Sequence, residues 1–394
     1  MPQQAVIVTS LRTPVGKAKR GTLRYMRPEA MGAAAVRAAV EQTPNLTPDR
    51  VDDVLMGCAF PEGPQGMNIG RIIAQMAGLP ESVPGATVNR FCSSGLQTIA
   101  MAVQSVSAGW ADCVVAGGTE SMTLVPMSGY YFLPDPTVAS RNPNVYVSMG
   151  NTAENLAEQN QISREEQDRF ALQSHRKALE AIATGSFNAE IVPLEVGFTT
   201  FEQGRSKEWS VTLSTDEGPR SDTSREALAR LRPVFRRGGT VTAGNASQMS
   251  DGAAASVVMS EELAKKLDAT PLARIAGFAV AGVPPEVMGI GPVDAVRKVL
   301  RQTGLKLSDI GLVELNEAFA AQALSVIREL QLDESKVNIY GGAVALGHPL
   351  GCTGAKLTAT LIHAMVRRRV RWGICTMCIG GGMGAAAVFE NLVM

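Results

Sequence analysis

The sequence predicts an α/β protein made of two related βαβ-type halves with a long insertion between them. Three observations carry this expectation. Short apolar strands alternate with Ala-rich helices toward both ends of the chain, the signature of α/β architecture. Ser93–Ser94–Gly95 aligns with Cys352–Thr353–Gly354, and Val54–Gly57 with Val313–Asn316, both at a separation of about 259 positions, as a duplicated unit requires. From Thr119 to Asn245 the texture changes, and Pro126, Pro134, Pro136 and Pro143 break the chain.

The elements follow in order. Ala5–Thr9 and Val51–Gly57 read as strands. The helix Pro28–Glu41 between them repeats Ala, Met and Val on one face and ends at Thr43–Pro44. Ala86–Asn89 is a strand that runs into Arg90–Phe91–Cys92. A helix over Leu96–Ala108 follows, then a buried strand over Cys113–Ala116 closed by Gly117–Gly118. Later, Val313–Leu315 reads as a strand and Ala318–Leu330 as a helix. Gly341–Gly354 reads as a glycine-rich loop, Ala355–Arg367 as a helix and Gly373–Met377 as a strand leading to Gly380–Gly382. Inside the insertion one polar helix, Arg164–Ala183, stands out; Glu195–Pro219 is expected to be irregular. Long irregular insertions in compact proteins are usually functional. The resulting units are residues 1–118 with 246–270, an inserted loop domain over 119–245, and residues 271–394.

Composition narrows the function. Lys plus Arg and Asp plus Glu are both 37, a neutral balance that argues against a nucleic-acid protein or a polybasic membrane binder. Three histidines nearly exclude a His-rich metal centre, and no metal is expected. Six cysteines are too sparse for a disulfide scaffold, so reduced thiols are expected. Ala5–Val8 is apolar with no basic stretch before it, which suits a first strand better than a signal peptide. No apolar run is long enough to span a bilayer, and the last residues carry no peroxisomal-type tripeptide. A cytoplasmic enzyme is the expectation.

Four segments could carry chemistry. Cys92 lies between a strand and a helix start, where free backbone N–H groups and the helix dipole favour thiolate. Ser93 and Ser94 are good N-cap residues there. A cysteine is also a common small core residue, so both readings stand at this point. His348, held between Gly347 and Pro349, sits in a loop of fixed shape suited to aiming an imidazole. His175 and His363 lie on helices and read as solvated or packing residues. Cys375 and Cys378 are three apart, and a strand puts them on opposite faces. Cys375 then belongs to the core, while Cys378 leads into Gly380–Gly381–Gly382, whose bare N–H groups could hold an oxyanion. Asn316 ends a strand at a helix start and is an ordinary N-cap by default. Its interest is that strand ends are where α/β sheets gather their active sites.

Asn89–Arg90–Phe91–Cys92–Ser93–Ser94–Gly95, Asn316–Glu317–Ala318–Phe319, Gly341–Gly342–Ala343–Val344–Ala345–Leu346–Gly347–His348–Pro349 and Cys378–Ile379–Gly380–Gly381–Gly382–Met383–Gly384 resemble the four signature blocks of the thiolase family. Thr242–Ala243–Gly244–Asn245–Ala246–Ser247 with Asp251–Gly252–Ala253–Ala254 resembles a fifth. The five stand in family order along the whole chain. The resemblance implies the thiolase fold, a duplicated five-layer αβαβα arrangement with an inserted loop domain that binds coenzyme A. It also implies CoA-dependent cleavage of 3-oxoacyl-CoA to acetyl-CoA and a shortened acyl-CoA, or the reverse Claisen condensation. Coenzyme A is then a cosubstrate, with no permanently bound cofactor.

By the same resemblance Cys92 is the nucleophile, His348 accepts its proton, and Cys378 is the second acid–base. Asn316 holds a water that, with His348, stabilises an enolate oxygen. The N–H groups of Cys92 and Gly380 form the other oxyanion hole. Ser247 lies on the pantetheine arm, and Met149, Met288, Ala318 and Phe319 beside the acyl pocket. Arg205–Arg237 holds eight Lys/Arg against five Asp/Glu, and Arg220, Arg232, Arg236 and Arg237 are placed to meet phosphates. The Cys-Ser-Ser-Gly form of the nucleophile block leans toward degradative 3-ketoacyl-CoA thiolases of fatty-acid beta-oxidation, and against the biosynthetic acetoacetyl-CoA enzymes. A decarboxylating condensing enzyme would lack Cys378, and a non-enzymatic lipid carrier would lose Cys92, His348 or Cys378. A homodimer or homotetramer is expected, with a multienzyme beta-oxidation partner as an option.

Overall fold

The computed structural model describes residues 3–202 and 204–394. The first half contains β1 (Ala5–Arg12), β2 (Gly16–Lys17), α1 (Pro28–Glu41), β3 (Asp53–Gly57), α2 (Ile69–Met76), β4 (Ala86–Val88), α3 (Ser94–Ser107) and β5 (Cys113–Ser121). The insertion holds α4 (Pro136–Arg141), α5 (Met149–Gln159), α6 (Arg164–Ala183), β6 (Leu194–Glu202), β7 (Arg205–Leu213) and α7 (Arg225–Ala229). The chain returns to the core with β8 (Ser250–Ser260) and α8 (Glu261–Lys266). The second half follows as β9 (Ala273–Gly282), α9 (Gly291–Thr303), β10 (Leu312–Leu315), α10 (Ala320–Leu330), α11 (Ala343–Leu346), α12 (Leu350–Arg368), β11 (Trp372–Ile379) and β12 (Met383–Asn391).

The duplication is visible in the strand pairing. One half runs β3-β5-β8-β1 and the other β10-β11-β12-β9, joined into one sheet through β1 and β9, with β4 at the far edge. The pairing senses repeat: β3 with β5 and β10 with β11 are parallel, and the next two pairs in each half are antiparallel. Within the sheet the halves join where β1 pairs with β9, Ile7 lying opposite Ala273. Cys113 and Trp372, the starts of β5 and β11, are again 259 positions apart.

Five layers result. α1 and α2 cover one outer face and α9 and α10 the other, while α3 and α12 lie together between the half-sheets. A strand covered on both faces must be apolar throughout, which is why β5, β8 and β11 read as near-continuous Ala, Val, Ile, Met and Cys. No described helix is long and apolar enough to cross a membrane.

Several expectations change in detail. β5 continues to Ser121 and β8 begins at Ser250, so residues 122–249 lie between them. Glu195–Pro219 is not irregular, because β6 and β7 form an antiparallel hairpin across most of it. Leu194, Val196 and Phe198 alternate inward on β6, and Trp209 of β7 stacks on Phe198 although β7 is exposed until Leu213. The loop expected over Gly341–Gly354 is shorter: α11 occupies part of it, and α12 begins at Leu350.

α3 and α12 meet backbone to backbone. A Cβ on Gly95 would lie 2.7 Å from the Ala355 nitrogen, and one on Gly354 would lie 2.2 Å from the Leu96 nitrogen. These glycines occupy matched positions of the two halves, so neither helix can retreat without moving its sheet. An exposed helical Gly→Ala change stabilises by up to about 1 kcal/mol. Gly95→Ala is expected instead to cost about 1–3 kcal/mol by overpacking, read as a lower urea midpoint at unchanged m-value. An unchanged or raised midpoint would show that the contact can relax.

Candidate active site

The segment before α3 is a braced turn. Phe91 adopts a left-handed backbone, φ 42°, a strained state for an aromatic residue that surrounding contacts must enforce. The Phe91 N–H donates to Asn89 Oδ1 (2.8 Å), and the Asn89 amide donates to the Ala59 carbonyl (2.9 Å). Ser94 Oγ accepts from the Arg90 N–H (2.9 Å) and donates to the Phe91 carbonyl (2.6 Å). Neither serine caps α3 through its side chain; Ser94 ties the turn to itself instead, which aims Cys92 inward.

Cys92 is buried, and the Gly380 N–H and its own N–H lie close enough to lower the sulfur's proton affinity. Gly380 follows β11, and the next two residues, Gly381 and Gly382, have φ of 79° and 86°. That left-handed pair curls the chain so that Gly380 faces the Cys92 turn. Cys378, near the end of β11, lies close enough that charge on Cys92 raises its proton affinity.

His348 arrives from the loop before α12. Gly347 has φ 92°, and a Cβ there would stand 2.2 Å from Ser250 Oγ, so only glycine fits. The His348 N–H donates to the Gln248 carbonyl (3.1 Å). The Thr353 hydroxyl donates to the Pro349 carbonyl (2.9 Å) and lies 2.6 Å from His348 Nδ1. Because that hydroxyl spends its proton on the carbonyl, Nδ1 is assigned as the N–H donor. Nε2 is then the bare nitrogen, and the Asn316 amide donates to it (3.2 Å). Asn316 Oδ1 is buried with no partner among the described residues. Asn316 is not an N-cap, since α10 begins at Ala320 behind Phe319.

The two loops close together because the start of α12 packs on the Phe91–Ser93 turn, as does β11. Leu350 and Cys92 share an apolar cluster with Ala59 and Met122. Met149, Met288, Ala318, Phe319 and Cys378 share another with Ala153, Val241 and Ala246. A Cβ on Gly380 would sit 3.5 Å from Met149 Sδ, which joins the two clusters. The Ser247 N–H donates to the Ala318 carbonyl (3.0 Å), tying the end of the insertion to this wall. Arg220 stands apart: its side chain is largely exposed and paired with Asp222 at 3.0 Å.

Burial dominates the electrostatics. It pushes the Cys92 thiol up to about 12, although the Gly380 and Cys92 N–H groups pull the other way. The expectation that the helix start favours thiolate is therefore corrected: desolvation outweighs it. Burial raises Cys378 well above the ordinary thiol range, so it too is a thiol at neutral pH. It also lowers His348 to about 3, assisted by the Lys356 ammonium. His175 is a buried packing residue, lowered to about 4 by burial and then by Arg220, whose N–H donates to its Nδ1 (3.1 Å). His363 Nε2 lies 2.9 Å from the Ser10 carbonyl. No group of three or more His, Cys, Asp or Glu among the described residues could hold a metal ion.

Sequence reasoning missed the residues that fix these loops. Asn338 brackets Leu315 through both backbone groups (2.8 Å each), holding the strand end that carries Asn316, and donates to Glu317 Oε1 (2.9 Å). Glu317 Oε2 accepts from Ser174 Oγ (2.7 Å) and the Val344 N–H (3.2 Å), which connects α6 to the His348 loop. Glu120 does similar work near Cys92. The available signal was an acidic residue closing an apolar strand: Glu317 follows β10 and Glu120 ends β5.

Known proteins share this arrangement. Residues 5–262 match the family described as "Thiolase, N-terminal domain" and residues 269–391 "Thiolase, C-terminal domain". A 3-ketoacyl-CoA thiolase of Bacillus subtilis (strain 168) is 54% identical, covering 98% of this chain and 99% of that one. The crystal structure of human mitochondrial 3-ketoacyl-CoA thiolase superposes with a TM-score of 0.89 at 40% identity, covering 99% of both chains. That of the Bacillus anthracis acetyl-CoA acetyltransferase gives 0.88 at 43%, again covering 99% of both. With both halves matched end to end, the chain belongs to the thiolase family of acyltransferases.

Proposed function

We propose that this protein cleaves 3-oxoacyl-CoA with coenzyme A, giving acetyl-CoA and an acyl-CoA two carbons shorter, in the degradative direction. The carrying observation is the Gly380 N–H close to the Cys92 sulfur beside a second buried thiol, with a bare His348 Nε2 next to Asn316. Cys92 Sγ attacks the 3-keto carbon and its proton passes to His348 Nε2. The oxyanion formed accepts the Cys92 and Gly380 N–H groups, a fixed pair needing no rearrangement at the moment of reaction. The C2–C3 bond breaks, its electron pair leaves on the acetyl-CoA fragment as an enolate, and Cys378 gives that carbon a proton. The new imidazolium N–H and Asn316 face the enolate oxygen.

The second half reverses the roles. Cys378, now thiolate, takes the proton of incoming coenzyme A, whose sulfur attacks the Cys92 thioester. His348 returns its proton to Cys92 as the acyl-CoA leaves. Splitting one carbon–carbon cleavage into two acyl transfers is the gain of covalent catalysis. Met149, Met288, Ala318 and Phe319 supply an apolar wall for the acyl group, Ser247 anchors the pantetheine arm, and Arg220 meets a phosphate from the solvent side. The Cys-Ser-Ser-Gly block at Cys92–Gly95 favours the degradative direction. The biosynthetic alternative, condensation of two acetyl-CoA, draws support from likeness to a protein titled acetyl-CoA acetyltransferase.

Two measurements test this. Thiolysis rates on 3-oxoacyl-CoA of about four to sixteen carbons are expected to extend beyond the shortest chain; activity confined to four carbons would favour the biosynthetic reading. Cys92→Ala is expected to lose the acyl adduct seen by intact mass and to drop kcat at least about 1,000-fold, as for removal of a nucleophile. An intact adduct in that variant would overturn the assignment.

The pH response follows from burial. Cys92 is a neutral thiol beside a neutral imidazole, so its alkylation by iodoacetamide is expected to keep climbing from about pH 6 to about pH 10. His348 stays unprotonated through that range, so it adds no inflection near its ordinary value. A plateau already reached at neutral pH would indicate a standing thiolate–imidazolium pair and contradict the assignment of neutral partners.

A further inference from the structure

Glu120 is a buried carboxylate at the end of β5 that none of the steps above uses. Burial raises its proton affinity, and the hydrogen bonds it accepts pull the other way; its oxygens take five donors. Oε2 accepts from the Ala59 N–H and the Gly351 N–H, both at 2.8 Å. Oε1 accepts from Gln65 Nε2 (2.7 Å), the Phe60 N–H (3.4 Å) and, more weakly, the Cys58 thiol (3.9 Å). No cation among the described residues forms an ion pair with it. All five neighbours donate, so a protonated Glu120 would have nowhere to place its own hydrogen, and the site fits the anion despite burial.

The partners are what make this carboxylate informative. Gly351 is the second residue of α12, three positions after His348. A Cβ on Gly351 would stand 2.7 Å from Glu120 Oε2 and 2.7 Å from Cys58 Cα, so the approach requires glycine. On the other side, Ala59 receives the Asn89 amide on its carbonyl, and Asn89 in turn accepts the Phe91 N–H beside Cys92. One carboxylate therefore connects, through short hydrogen-bonded paths, the loop delivering the sulfur and the helix start delivering the imidazole. The two halves of the molecule supply those two segments separately.

We propose that Glu120 is a positioning residue for acyl transfer: it joins the Cys92 turn to the His348 loop across the interface of the halves and fixes their spacing. This rests on the reading that Cys92 and His348 react. Its charge has a second effect. Seen from Cys92, the titratable groups are Glu120 on β5, Cys378 on β11, His348 before α12 and Cys58 in the adjoining loop, and Glu120 is the charged one. Burial raises the Cys92 thiol most, and the Glu120 charge adds to it.

The test separates spacing from charge. Glu120→Gln and Glu120→Asp are compared with the parent enzyme for kcat, KM and the pH dependence of Cys92 alkylation. Both variants are expected to lose about 100-fold in kcat with KM within about threefold, the effect of a misplacement near 1 Å. Only Glu120→Gln, which removes the charge, is expected to move the alkylation curve down by about one pH unit; Glu120→Asp keeps it near the parent. Equal shifts in both variants would mean mere loosening and would overturn the proposal, as would parent-like kcat in Glu120→Gln. If neither variant folds, Gln65→Met, which deletes one donor to Oε1, is expected to lower kcat at unchanged KM; parent-like kcat there overturns the proposal. Failure of the parent enzyme itself to acylate Cys92 would be a failure of the catalytic reading and is scored separately from these comparisons.

Discussion

The site depends on one steric constraint, the contact of two helix starts at Gly95 and Gly354. Each glycine lets the backbone of the other half approach where a methyl group would collide with main-chain atoms. Because these positions correspond in the duplicated halves, the contact sits near their shared axis. It brings together the N-terminal turns of α3 and α12, and so the residues just before them. The segments that carry Cys92 and His348 lie together because they precede helices forced together. Gly118, whose Cβ would meet the Gly351 carbonyl at 2.1 Å, extends the same close approach to β5.

Burial at that junction decides the chemistry. A helix start offers N–H groups that favour thiolate, and two N–H groups do lie close to Cys92. Desolvation at the centre of five layers is larger and keeps the thiol protonated. The same desolvation keeps His348 neutral. On the proposed mechanism the neutral thiol and imidazole become charged only during transfer, and the two N–H groups stabilise an oxyanion that exists only during reaction. The resting site therefore stores little charge in a medium where charge is costly.

Much of this arrangement was legible in the residues. α1 and α6 have the bounds their periodicity suggested, because each carries capping or breaking signals at both ends. The repeat was visible in Ser93–Gly95 and Cys352–Gly354 for a physical reason, since the paired glycines cannot change independently. The hairpin of β6 and β7 was hard to read because the alternation of Trp209, Val211 and Leu213 on β7 is short and stays exposed before Leu213. The early start of α12 was hidden because Gly351 and Gly354 read as loop residues, whereas there they serve close packing inside a helix. Glu120 and Glu317 offered only an acidic residue closing an apolar strand, and their partners, among them backbone N–H groups, lie remote in sequence; Asn338 gave no signal at all.

The insertion is part of the site wall and not only a cover over it. Met149 and Ala153 come from α5, Val241 and Ala246 from its last segment, and they pack with Met288, Phe319 and Cys378 of the second half. Ser174 on α6 reaches Glu317, and through it the loop leading to His348. A displacement of α6 must therefore pull on Glu317, then on Val344 and Asn338 together, since one carboxylate holds all three. The geometry of the imidazole is set as much by this polar chain as by Thr353 at its own ring. Three structural units thus converge on the segments that carry Cys92, His348 and Cys378, and the supporting carboxylates lie at the seams between them.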